Sequence, residues 1–158
     1  MIENYLTILE DSLRQKVNVL DEISECNTAQ EQLLKQESLS LEEFDEYVDK
    51  KDVLIQKLNK LDEGFDSLYE KIREQLLKDK EAYKAQISRI QQLISQVTEK
   101  SVSIQAQEAR NRKAVEYYFA NEKQQLRQSR QSSKAAYDYY RSMNNANVVP
   151  PQFMDKKK

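Results

Sequence analysis

FDEYVDKKDVLIQKLNKLDEGFDSLYEKIREQ, residues 44–75, is the stretch that decides the fold. Stepping by seven from Phe44 meets Lys51, Leu58, Phe65 and Ile72, and stepping from Tyr47 meets Leu54, Leu61, Leu68 and Gln75. Two interleaved apolar series at that period are the a and d positions of a helix that packs along a seam. Leu, Glu, Lys and Gln, all strong helix formers, dominate the whole chain, and it has almost no Gly or Pro before Pro150. Helix is the only regular structure such a composition supports.

The pattern extends in both directions. Upstream, Ser40 and Glu43 form a capping box, and Leu39 with Phe44 forms the hydrophobic staple that sets how the chain enters the helix. Glu42, Glu43 and Asp45 lie in the first turn, where the helix dipole favours negative charge, and read as helix-start electrostatics rather than as metal ligands. Before the cap, Leu6, Leu13, Leu20, Asn27 and Leu34 alternate with Ile2, Leu9, Lys16, Ile23 and Gln30. A first helix is therefore expected over about 3–36 and a second over about 40–78.

The stripe weakens from Leu77 to Lys80, which places a second turn there; a single unbroken rod is the structural alternative, since no Gly or Pro enforces the turn. A third helix then carries Tyr83, Ile90, Val97, Ile104, Asn111 and Tyr118 beside Ile87, Ile94, Ser101, Glu108 and Val115. Nothing stops it before about Met143, so it is expected over about 82–143, with 144–158 as a flexible, Asn-rich, Pro-Pro and lysine-ended tail. Gly64 lies beside the second seam, where glycine costs roughly 1 kcal/mol against alanine; it either admits a close helix or is tolerated.

Three helices in phase joined by short turns predict an all-α, elongated up-down-up bundle with coiled-coil-like packing. Counting along the hairpins sets Asn27 level with about residue 50 on the second helix and about 110 on the third. Asn27, Lys51, Glu108 and Asn111 all interrupt apolar seams near that level. They are expected to meet as one polar layer with Lys51 paired to Glu108, a device that fixes register at some cost in stability. The competing reading has each side chain snorkelling separately to solvent. Cys26 lies beside the layer and reads as a semi-buried spectator.

The composition also restricts function. The chain's 158 residues include no histidine, one glycine and one cysteine. Imidazole general bases, histidine zinc sites, glycine-rich phosphate loops and an internal disulfide are thereby excluded, and no enzyme activity, cofactor or metal is expected. No apolar run approaches the roughly 20 residues of a membrane span. The start, MIENYLTILEDSL, is acidic and amphipathic and reads as neither a signal nor a transit peptide, so the expected compartment is the cytoplasm. Monomer and dimer both remain open.

By the same counting the third helix outruns the bundle beyond about residue 122. From 123 to 158 eight basic residues face Asp138 and Asp155, a net of +6 that leaves −8 for the rest of the chain. This overhang also holds aromatic and methionine side chains of the kind found at binding surfaces. Three readings compete: a fourth helix folded back on the bundle, a contact with nucleic acid or an acidic membrane, and a grip on a partner's amphipathic helix, the one preferred here. The basic residues are dispersed, which weakens the second.

KKDVLIQKLNKLDEGFDSLYEKI at 50–72, EARNRKAVEYYF at 108–119, SSKAAYDYY at 132–140 and the QFMDKKK end resemble the FlgN-like flagellar export chaperones over nearly the whole chain. The resemblance implies a small cytoplasmic helical chaperone of flagellar type III export. Such proteins bind the C-terminal helical segments of hook–filament junction proteins and keep them unassembled and export-competent. It places client binding in the C-terminal region, where Tyr118, Phe119, Leu126, Tyr137, Tyr140 and Met143 are the expected client-facing residues. The Pro-Pro tail maps onto no role in the family. The alternative function is a structural coiled-coil adaptor that homodimerises through its seams.

Overall fold

The computed structural model describes residues 2–36, 38–120 and 138–139. Among them are three long helices, α1 (Ile2–Leu34), α2 (Leu41–Lys78) and α3 (Lys84–Tyr118), and a single 3₁₀ turn (Lys80–Tyr83). The fold is all-α, as the heptads require.

The first turn is made as its sequence dictates. Ser40 is extended (φ −83°, ψ 105°) and its hydroxyl accepts the Glu43 N–H at 3.3 Å, which satisfies one of the orphan donors at the start of α2. Leu39 and Phe44 share a cluster with Leu33, Val48, Val115 and Phe119. The second turn needs neither Gly nor Pro. Asp79 N–H still bonds Gln75 C=O, and Ala82 N–H then bonds Asp79 C=O at 3.0 Å. Asp79 (ψ 31°) and Tyr83 (ψ 20°) lie near the bridge region at the two ends of the 3₁₀ turn, and these two residues reverse the chain.

Side-chain pairs give the register. Across α1 and α2, Lys16 meets Asp62 and Asn27 meets Lys51, so one number falls as the other rises and the helices run antiparallel. Across α1 and α3, Glu10 meets Arg89 and Asp21 meets Lys100, both 79 residues apart, so those two run parallel. The bundle is up-down-up, and the unbroken rod is excluded. Helix α1 packs closely against both others, whereas α2 and α3 approach each other much less. Helix α1 is therefore the central one of the three, and α2 reaches α3 through the Lys51–Glu108 pair.

That arrangement shifts the buried face of α2. The series Phe44, Lys51, Leu58, Phe65, Ile72 is buried as expected. Its companion is a different one: Val48, Asp62, Tyr69 and Leu76 are buried, while Tyr47, Leu54, Leu61 and Leu68 are only half-buried. Asp62 in that series meets Lys16 of α1 and Tyr139 at once, so α2 buries a stripe turned partly away from α1 toward the side on which Tyr139 packs.

The C-terminal expectation needs correction. Helix α3 ends at Tyr118, with the Phe119 N–H closing on Val115 C=O at 3.0 Å, and does not run unbroken to 143. Phe119 lies in the cluster around Phe44, yet Tyr139 packs on the main core and bonds Asp62. Asp62 is 18 positions from Phe44 along α2, about 27 Å at the helical rise. Tyr139 is thus back alongside the bundle rather than on an arm beyond its end, as the fold-back reading has it. Residues 144–158, expected as a tail, lie outside the described residues.

Candidate functional site

Two buried polar layers cross the bundle. In the upper one the Lys51 ammonium donates to Glu108 Oε1 at 2.8 Å and to Asn27 Oδ1 at 2.9 Å, and Asn111 Nδ2 donates to the Asn27 carbonyl at 3.0 Å. Lys51 is 2% exposed and Glu108 1%, so neither snorkels to water. All four residues singled out in the sequence meet here. Their layer divides the apolar core in two, with Leu20 and Ile23 on one side and Leu33 and Phe44 on the other. Gln30 lies one turn above. Its Nε2 donates to the Phe44 carbonyl, while its Oε1 is buried without a hydrogen-bond partner among the described residues. Cys26 is buried at 6% exposure, and desolvation pushes its thiol pKa up despite Lys50 and Lys51 nearby.

The lower layer joins α1, α2 and the C-terminal stretch. Lys16 pairs with Asp62, and the Tyr139 hydroxyl donates to the other carboxylate oxygen of Asp62 at 3.2 Å. Burial raises the Asp62 carboxyl above its usual range, against the pull of Lys16 and of both hydrogen bonds. Burial and the Asp62 charge together hold the Tyr139 phenol protonated well above its ordinary range. A signal for Asp62 was present in the sequence: the counting that set Asn27 level with Lys51 also sets Lys16 level with residue 62. Tyr139 had no such signal, because its position depends on where the chain goes after α3.

The shifted face of α2 leaves an open feature. Tyr47, Leu54, Leu61 and Leu68, half-buried, run along the furrow between α1 and α2. Ile8 (53% exposed) and Val53 (66%) stand at its edges, and both are large apolar side chains facing solvent. Gly64 lines the same furrow, and a Cβ there would meet nothing within 4 Å. From Tyr47 to Leu68 the furrow covers 21 residue steps, about 31 Å. Along that length the trough consists of two hollows, one lined by Tyr47 and Leu54 and the other by Leu61 and Leu68.

The expected client-facing residues divide. Tyr118 is 39% exposed and its hydroxyl accepts the Leu39 N–H at 2.8 Å. Phe119 is 2% exposed and stacks edge-on against Tyr118, so its ring is a core element and presents no face to a client. Leu126, Tyr137, Tyr140 and Met143 lie outside the described residues. Tyr117, adjacent and 87% exposed, offers more open area than either neighbour. Among the described residues no group of His, Cys, Asp and Glu side chains is placed to hold a metal ion, and no helix is long and apolar enough to cross a membrane. No protein-family profile, characterised protein or solved structure matches the chain.

Proposed function

We propose that this chain is a cytoplasmic chaperone that acts without catalysis. It covers the amphipathic C-terminal helices of flagellar hook–filament junction proteins until they are exported by the type III pathway. The class of client comes from the resemblance carried by residues 50–72 and 108–119. The observation that carries helix binding is the half-open seam of Tyr47, Leu54, Leu61 and Leu68. A helix with an unpaired apolar stripe buries that stripe by lying in such a trough, and its assembly through the same stripe is blocked meanwhile. Tyr118 and the more C-terminal Leu126, Tyr137, Tyr140 and Met143 stay in the proposal as further client contacts; Phe119 does not.

Light scattering after gel filtration tests this reading, with the chain alone and mixed with the C-terminal helical segment of a hook–filament junction protein. A monomer that moves to a one-to-one complex, and fails to do so as Leu61→Asp, is the expected result. A permanent dimer that ignores the segment favours the structural adaptor instead.

A further inference from the structure

The furrow has unlike rims. On the α1 side the exposed charged residues at its edge are Asp11, Glu22 and Glu25. On the α2 side they are Lys50 and Lys60, with the exposed Lys57 a heptad step from Lys50 on the same stripe. The two ends repeat the pattern: Asp11 stands across from Lys60 at one, and Glu22 and Glu25 stand across from Lys50 at the other. Between the rims the floor is apolar, and Gly64 leaves room for a backbone to approach.

A helix in this trough has one flank against carboxylates and the other against ammonium groups. We infer that the α1–α2 furrow takes a partner's amphipathic helix whose apolar stripe has basic residues along one flank and acidic residues along the other, and that these flanks set the direction in which it lies. This rests on the helix-binding reading above and names the partner's chemistry. Flanking charges choose partner and orientation in coiled coils by the same means, since like charges facing each other oppose docking. The chain's own C-terminal stretch is a poor occupant, because residues 123–158 carry a net +6 and would set lysines and arginines against the lysines of α2.

Three synthetic 21-residue peptides with one Leu stripe test the inference by titration at low salt: one with a Lys flank and a Glu flank, one with both flanks Lys, and one with both Glu. The mixed peptide is expected to bind the intact chain about tenfold tighter than either other, the sum of several exposed ion pairs. In the triple variant Lys50→Glu, Lys57→Glu, Lys60→Glu both rims are acidic, and the all-Lys peptide is expected to become the best binder. All three substitutions are at exposed positions, so the bundle tolerates them. Gly64→Phe fills the trough where space is open and is expected to abolish binding while the far-ultraviolet spectrum is unchanged.

A spin label at the peptide N-terminus is expected to move from one end of the furrow to the other when the Lys and Glu flanks are exchanged. Equal affinities for all three peptides, or an unaltered ranking in the triple variant, overturn the charge reading and leave helix binding standing. No binding by any peptide overturns both. Displacement of the mixed peptide by a synthetic 121–158 fragment, or a mass that doubles with concentration, assigns the furrow to the chain's own end or to a second copy and also overturns the proposal.

Discussion

Lys51 shows what a single buried charge does in this protein. Its ammonium has lost its water and is held by Glu108 and Asn27. Removing one partner of such a pair leaves the other charge buried and alone, which costs about 3–5 kcal/mol, whereas replacing both by apolar groups costs far less. Lys51→Met is therefore expected to lower the unfolding free energy by about 3–5 kcal/mol, and Lys51→Met with Glu108→Leu to recover about half of that or more. Urea denaturation of the two singles and the double reads the coupling; simple addition of the single effects would show that the pair does not act as one unit. Cys26 makes a simpler case. With its thiol buried and its pKa raised, the nucleophilic thiolate is scarce at neutral pH. Labelling by a disulfide reagent at pH 7.5 is expected to be at least about a hundredfold slower than in urea, and comparable rates would show the thiol is open to solvent.

At the scale of the element, α2 carries the clearest consequence. Its 38 residues hold one glycine in the interior, exposed and with open space where a Cβ would be. Glycine there costs backbone entropy and returns no packing, so Gly64→Ala is expected to stabilise the chain by about 0.5–1 kcal/mol. The midpoint of urea unfolding measures it, and a loss of stability would mean that the helix needs the absent side chain for a reason internal to the bundle. The same residue is the one larger side chains would use to block the furrow, so stability and binding are expected to separate there: alanine raises the first and phenylalanine removes the second. The rotation of α2 that opens the furrow has a physical cause. Asp62 on α2 meets both Lys16 of α1 and Tyr139, so the buried stripe is centred between these two contacts and the heptad series on the other flank is left half-exposed.

For the whole molecule, the lower polar layer couples stability to pH. The Asp62 carboxyl is held above its ordinary pKa of 3.8, chiefly by burial. The folded state therefore binds this proton more tightly than the unfolded chain does. Asp62 favours folding below the ordinary carboxylate pKa, and that contribution is lost as pH rises from about 4 through the raised folded value. Lys16 is the main influence opposing the rise, so Lys16→Met pushes the carboxyl higher still. The deficit of the variant against the parent is expected to widen from pH 4 to pH 7, where it reaches about 3–5 kcal/mol. Thermal melts across that range decide it; a deficit that stays constant would mean Asp62 is not the group that titrates. Tyr139, also bonded to Asp62, ties the C-terminal stretch to the same layer.

The heptads by themselves determined three helices, the turns between them and, through level counting, the meeting of Asn27, Lys51, Glu108 and Asn111. Period and cap are local properties of the chain, and hairpin register follows from them by arithmetic, because the rise per residue is constant. The tertiary structure alone decided that Phe119 is buried, that Asp62 rather than Leu61 points inward, and that Tyr139 comes back to the bundle. It also decided that Tyr47, Leu54, Leu61 and Leu68 are left half-open. Which side of a periodic helix is covered depends on where its neighbours lie. That is a non-local choice, and a seven-residue repeat reads the same for either outcome.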